Sequence, residues 1–168
     1  FLCDIFLNQY RDDSDENYNN LEDDKHFAIV NPNHYLIICN ATLKYYNQAI
    51  INNGNFRAEN VIFDSNKVKY LFKKDYGGAI YNKEGEIECI NCTFINNSGK
   101  YAGAIYNDEN AFARIIDCEF YNNSYYNEEN IDIYNMNNES LEFIITTNNT
   151  NDTDNHTGVI IKNYKGFS

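Results

Sequence analysis

Two stretches of this chain are copies of one another. Residues 77–97 read GGAIYNKEGEIECINCTFINN and residues 102–123 read AGAIYNDENAFARIIDCEFYNN. Ala79 and Ala104 lie 25 residues apart, and Phe94 and Phe120 lie 26 apart. Such a period constrains the fold more tightly than composition does. One short unit cannot bury its own apolar face, so it must stack on its neighbours. Fainter copies flank the pair: FAIVNPNHYLIICNATL at 27–43, AIINNGNFRAENVIFDSN at 49–66, NIDIYN at 130–135 and GVIIKN at 158–163.

Aligned in this way the copies form columns. Ile29, Ile50, Ile80, Ile105 and Ile133 share one, with Ile160 as the expected sixth member. Asn31, Asn52, Asn82, Asn107 and Asn135 share the next, and Leu43, Phe63, Phe94 and Phe120 another. Ala41, Val61, Cys92 and Cys118 form a fourth, preceded by Asn40, Asn60, Asn91 and Asp117. Ala28, Ala49, Ala79, Ala104 and Asp132 are spaced by 21, 30, 25 and 28 residues. Helical arrays hold their length more closely and show a 3.6-residue period. Here the shared blocks are short and alternate. Ile90, Cys92 and Phe94 fall on one face and Asn91 and Thr93 on the other, which is strand patterning.

The expectation is therefore an all-β chain, a right-handed parallel β-helix (a single-stranded solenoid) of about five to six coils, with neighbouring rungs ~4.8 Å apart. Right-handedness follows because parallel crossovers are nearly always of that hand. Residues 26–168 are assigned to this domain. Residues 1–25 are read as an N-terminal acidic segment or cap. Nothing after the expected Ile160 rung looks like a cap, so coils are expected to continue beyond Ser168. Asparagine, about thirty residues of the chain, suits tight corners because it tolerates the left-handed conformation. Stacked asparagine amides can also bond along the axis, as in cross-β ladders. Gly77, Gly78 and Gly103 suit a sharp entry into a strand.

GGAIYN at 77–82 and AGAIYN at 102–107 resemble the GGA[ILV] motif of polymorphic outer membrane protein repeats. Phe63-x-x-Asn66, Phe94-x-x-Asn97 and Phe120-x-x-Asn123 resemble its FxxN partner. With NCTFINNS and the richness in Asn and Tyr, the chain is most similar to adhesin-like proteins of methanogenic archaea. The resemblance spans roughly residues 27–163, and two units match it well. It implies a cell-surface or extracellular location and adhesion-type binding to surface glycans or to proteins of a host or neighbouring cell. Asp132 in the alanine position, and the missing glycine pair in the first two units, depart from the pattern.

Charge narrows the partners further. The net charge of −12 argues against a nucleic-acid backbone and against docking on an anionic membrane surface. No run of eighteen apolar residues is present, so no membrane-spanning helix is expected in this segment. The acidic stretch from Asp12 to Asp24 lacks the glycine and terminal glutamate of a calcium loop and reads as a solvated linker or cap strand.

No catalytic, cofactor-binding or metal-ligating residue is assigned. Cys89 and Cys92 have metal-site spacing, but no second pair or nearby histidine completes a site, and Cys92 and Cys118, which share a column with Ala41 and Val61, read as small buried fillers. A disulfide is open to the five cysteines in an oxidising compartment. Arg57, Glu88 and Arg114 share a column and are expected to form an outward ladder of alternating charge. Tyr81, Tyr106 and Tyr134 follow the inward isoleucines and are the candidate ligand-contact row. An exposed row of rings suits sugar or protein, whereas rings packed on one another would be structural. Of eight Asn-x-Ser/Thr sequons, Asn96, Asn122 and Asn148 are the glycosylation candidates.

The functional expectation is a non-catalytic structural and binding module. The alternative is a carbohydrate-active enzyme, a polysaccharide lyase or glycoside hydrolase of β-helix fold, which would need carboxylates gathered on one face. Asp117 and Glu119 are the tight repeat-borne pair, and the preceding coil carries Asn91 and Thr93 in their places. A third reading is an exported passenger that self-assembles through exposed strand ends. If the isoleucine column faces inward, Ile80→Asp should abolish the fold. Loss of the β-type circular dichroism spectrum is the readout, and a native spectrum would refute the inward placement.

Overall fold

The computed structural model describes residues 6–8, 27–68, 76–125, 131–136, 139–144 and 161–163. The described residues contain no helix, and all their paired strands are parallel. An eight-stranded sheet holds β1 (Phe6–Asn8), β3 (Tyr35–Lys44), β5 (Asn55–Asp64), β7 (Gly85–Ile90), β11 (Ala111–Ile116) and β15 (Leu141–Ile144) in that order. Beside them, β8 (Thr93–Ile95) pairs with β5 and with β12 (Glu119–Tyr121). A six-stranded sheet runs β2 (Phe27–Asn31), β4 (Gln48–Asn52), β6 (Ile80–Asn82), β10 (Ile105–Asn107), β14 (Ile133–Asn135) and β16 (Ile161–Asn163). β9 (Ser98–Gly99) and β13 (Ser124–Tyr125) form a third, short sheet. The chain alternates between the two large sheets and returns to each one rung further along.

The pairing register reproduces the sequence columns. Ile29, Ile50, Ile80, Ile105 and Ile133 are successive partners. The sixth partner is Ile161 rather than the expected Ile160. Because side chains alternate, a slip of one residue would exchange the two faces, and pairing Asn135 with Asn163 fixes the register. Within the expected 1–25 segment the described strand, β1, is a further parallel partner of β3. The polar tract 147–157 lies outside the described residues.

Burial follows the alternation. Ile50, Ile80, Ile105 and Ile133 are fully buried, as are Phe63 and Phe94. Phe63, Phe94 and Phe120 stack with centroids 4.8 Å apart at both steps and with planes within 5° and 9° of parallel. Their separation is the strand spacing itself, so each ring is carried onto the next by backbone pairing. Burying an inward side chain of this size contributes roughly 1.5–3 kcal/mol.

Two columns of positive φ mark the corners. Asn40, Asn60, Asn91 and Asp117 have φ of 51°, 55°, 50° and 50°. Tyr45, Ser65, Asn96 and Asn122 have φ of 66°, 53°, 56° and 52°. Asn and Asp bear this conformation at least cost among residues with a Cβ, which accounts for the asparagines at these corners. At the first corner the exposed amides also bond between rungs, Asn60 Nδ2 to Asn40 Oδ1 at 3.1 Å and Asn91 Nδ2 to Asn60 Oδ1 at 2.7 Å.

Buried asparagines form two longer ladders. In the first, Nδ2 of Asn31, Asn52, Asn82 and Asn107 donates to Oδ1 of the next rung at 2.8, 2.8, 2.7 and 2.8 Å, ending on Asn135. In the second, Asn66 donates to Asn97 and Asn97 to Asn123, each at 3.0 Å, and Asn123 donates to the Asp132 carboxylate at 3.0 Å. Asp132, the departure from the alanine column, thus accepts the last amide proton of that ladder. These asparagines also bond to backbone, as in Asn97 Nδ2 to Phe63 O at 2.9 Å. Among the described residues no buried side-chain nitrogen or oxygen lacks a partner.

The paired glycines answer to space rather than to φ. A Cβ on Gly78 would lie 2.0 Å from the Gly103 carbonyl oxygen, and one on Gly77 would lie 2.3 Å from that of Ile80. Adjacent rungs touch here backbone to backbone. Asn82→Ala should cost about 1–3 kcal/mol by leaving ladder partners unsatisfied. Lys83→Ala, on the exposed neighbour, should stay within ~0.5 kcal/mol. Chemical denaturation measures both, and equal effects would show that the ladder contributes nothing specific.

Candidate functional site

The six-stranded sheet turns Tyr81, Tyr106 and Tyr134 away from the isoleucine core, as alternation requires. They are nevertheless not an exposed row. Tyr81 and Tyr106 are only 7% and 5% exposed. The cover comes from Tyr76 and Tyr101, each five residues ahead of a strand tyrosine in YGGAIY and YAGAIY. The Tyr76 ring lies 4.6 Å from Tyr81 and 4.7 Å from Tyr106, centroid to centroid. Tyr101 lies 5.7 Å from Tyr106 and 6.1 Å from Tyr134. Tyr106 and Tyr134 stack at 5.4 Å and 8°. Tyr81 and Tyr106 of the expected row thus lie in a packed tyrosine belt, and Tyr134 is half-buried at its edge. The belt's legible signal was the extra tyrosine before each GAI block.

Within the belt, the Tyr81 hydroxyl donates to Asp108 Oδ2 at 2.9 Å. Burial, then that hydrogen bond, pushes the Tyr81 phenol far above its ordinary value. Burial, then the nearby Asp108 charge, does the same for Tyr106.

Of the expected buried pair, Cys92 is buried and Cys118 only partly so. Cys89 and Cys92 lie in the core, and Cys118 is half-buried behind them. Cys92 N–H donates to Cys118 Sγ at 3.4 Å, and Cys118 Sγ reaches the Cys89 carbonyl at 3.3 Å. The thiol–thiol contact with Cys92, and then burial, hold the Cys118 thiol well above its usual range, so it stays protonated and unreactive. Cys39 is disulfide-bonded.

The outer face of the eight-stranded sheet carries the charge ladder. Arg57 pairs in register with Glu88, Glu88 with Arg114, and Arg114 with Glu142. Arg57 Nη1 bonds to Glu88 Oε2, and Arg57 Nη2 reaches Glu59 Oε2 at 3.2 Å. Arg114 Nη1 lies 3.5 Å from Glu88 Oε1, and its Nε donates to Glu142 Oε2 at 2.6 Å. Glu142 extends the expected three-member ladder by one rung. Such pairs contribute little stability at a surface, but they fix the guanidinium planes.

Next to the ladder lies a cleft of about 190 Å³ lined by Tyr35, Asn55, Phe56, Arg57, Glu86, Glu88 and Arg114. Tyr35 is 67% exposed. Sequence reading missed Tyr35, Asn55 and Glu86, because they become neighbours only when β3, β5 and β7 pair.

Asn96 and Asn122 are exposed at the second corner, one rung apart, with Asn96 N–H bonded to Tyr121 O at 3.0 Å. Asn148 lies outside the described residues. Asp117 and Glu119, the acidic pair of the enzymatic alternative, sit at and just after the first corner.

Residues 60–83 match the Chlamydia polymorphic membrane protein repeat. The match runs from the Asn60 corner through Phe63-x-x-Asn66 to the Gly77-Gly78-Ala79-Ile80 block, so one repeat unit is of this type. No curated protein and no solved structure matches the chain.

The belt makes stability depend on pH with a definite sign. Tyr81 and Tyr106 have folded values above their ordinary 10.0. Their contribution is therefore complete below about pH 10 and is lost as pH rises past it. Denaturation between pH 9 and 12 should show stability falling with pH, and less steeply in a Tyr81→Phe, Tyr106→Phe double variant. Identical slopes would contradict the burial of these phenols.

Proposed function

We propose that the chain is a non-catalytic, adhesin-like structural and binding module of a cell-surface or secreted protein, built as one closed, right-handed parallel β-helix. The observation that carries this is the match of residues 60–83 to the polymorphic membrane protein repeat, whose motif residues form the rungs. The family's outer-membrane and surface association supports the location. The richness in Asn and Tyr supports kinship with methanogen adhesin-like proteins.

A stacked solenoid supplies reach and a long lateral surface at low complexity, since each rung needs only its neighbours. The partners proposed are surface glycans or proteins of a host or neighbouring cell. The net charge of −12 weighs against nucleic acid.

Absence of catalysis is favoured by the state of the acids on the sheet face. Glu88 and Glu142 are each tied to a guanidinium in the ladder, so their oxygens are already engaged as acceptors by the protein's own side chains. The tests are direct. Antibody labelling of intact source cells should reach the segment, and labelling only after lysis would remove the surface assignment. Incubation with plant, algal and microbial polysaccharides should release no reducing ends or unsaturated products. Release of either would install the enzymatic alternative.

A further inference from the structure

We propose that the cleft between Tyr35 and the Arg57–Glu88–Arg114 ladder is a binding site for a neutral oligosaccharide lying along the stacking axis. This rests on the adhesive reading above and supplies its ligand class. It also replaces the tyrosine belt, whose ring faces are covered.

Alternation places Tyr35, Asn55, Glu86 and Phe112 in one outward column, since they are successive partners across β3, β5, β7 and β11. The charge ladder forms the adjacent column. The surface thus has an aromatic residue at each end, amide and carboxylate between them, and guanidinium–carboxylate pairs along one side. Tyr35 and Phe112 are three rungs apart, ~14 Å at ~4.8 Å per rung. That length suits a short oligosaccharide rather than a single sugar.

The chemistry selects the ligand in three steps. An exposed tyrosine offers a flat apolar face for the C–H side of a pyranose and a hydroxyl at its rim, at little entropic cost. Each Arg–Glu pair presents a donor beside an acceptor, the complement of two neighbouring sugar hydroxyls. Because the pairs are tied between rungs, these groups are already oriented before binding. Charge then disfavours anions: Glu59, Glu88 and Glu142 already pair with the two guanidiniums, and Glu86 adds a further carboxylate to the lining. A uronate or sulfated sugar would meet surplus negative charge, whereas a neutral polyol would not.

Titration calorimetry of the folded chain against neutral oligosaccharides of one to six units, a polyuronate fragment and a lysine-rich peptide tests this. Expected is binding of a neutral oligosaccharide that tightens up to three or four units, weakened at least ~10-fold by Tyr35→Ala and by Glu86→Gln. Both side chains are exposed, so melting temperature and circular dichroism should hold, which shows the variants fold. Absence of saccharide binding, binding unchanged in Tyr35→Ala, or preference for the polyuronate or the peptide each overturns the proposal. A parallel arm measures adhesion of chain-coated beads to cells. Adhesion without saccharide binding overturns the cleft and leaves the adhesive reading standing. Saccharide binding without adhesion supports the cleft and removes that reading.

Discussion

Parallel backbone pairing at fixed register is the interaction on which everything else in this protein rests. It sets a spacing of ~4.8 Å between residues two to three dozen positions apart in sequence. Like residues are then delivered onto like: isoleucine on isoleucine, phenylalanine on phenylalanine, amide on amide. The parallel phenylalanine stack, with centroids 4.8 Å apart, is the plainest readout of that spacing. Wherever the register holds, a favourable pair in one rung is repeated in the next, so stability accumulates with rung number.

Asparagine serves this architecture in two separate ways. At the corners it accepts a left-handed backbone that β-branched residues resist. In the buried columns its amide is both donor and acceptor, so a run of identical residues satisfies itself head to tail. A column of ionised glutamates, which only accept, could not propagate in this way without a second residue type. The second ladder ends on a carboxylate, which only accepts, and Asp132 therefore suits the final position. A buried polar ladder also defines register more sharply than an apolar column, since a slip by one residue would leave every amide unsatisfied.

The two outer faces were given different tasks. On the six-stranded sheet, outward tyrosines are roofed by tyrosines from the preceding turns, and the phenols become structural. On the eight-stranded sheet, outward residues remain open and charged, with Tyr35 free of such a roof. The difference lies in the approach to the strand. A short turn carrying Tyr76 or Tyr101 precedes each of β6 and β10, whereas the outer column of β3, β5 and β7 has no equivalent aromatic ahead of it.

From the residues alone came the repeat, the inward columns, the strand alternation, the asparagine corners and the charge ladder through Arg57, Glu88 and Arg114. All of these depend on residue identity at a period, and a period is visible in one dimension. The exact partner of Ile133 was missed because the last copy, GVIIKN, holds two adjacent isoleucines, and only pairing with Asn163 chooses between them. Whether an outward ring is exposed or covered was not legible, because it depends on a turn that folds back across the sheet. The cleft was hidden for the same reason: Tyr35, Asn55 and Glu86 belong to three different rungs and meet only through the pairing. Periodicity thus determined which residues stack, while the path of the chain between rungs decided which of them face solvent, since that path is set by packing that no single repeat contains.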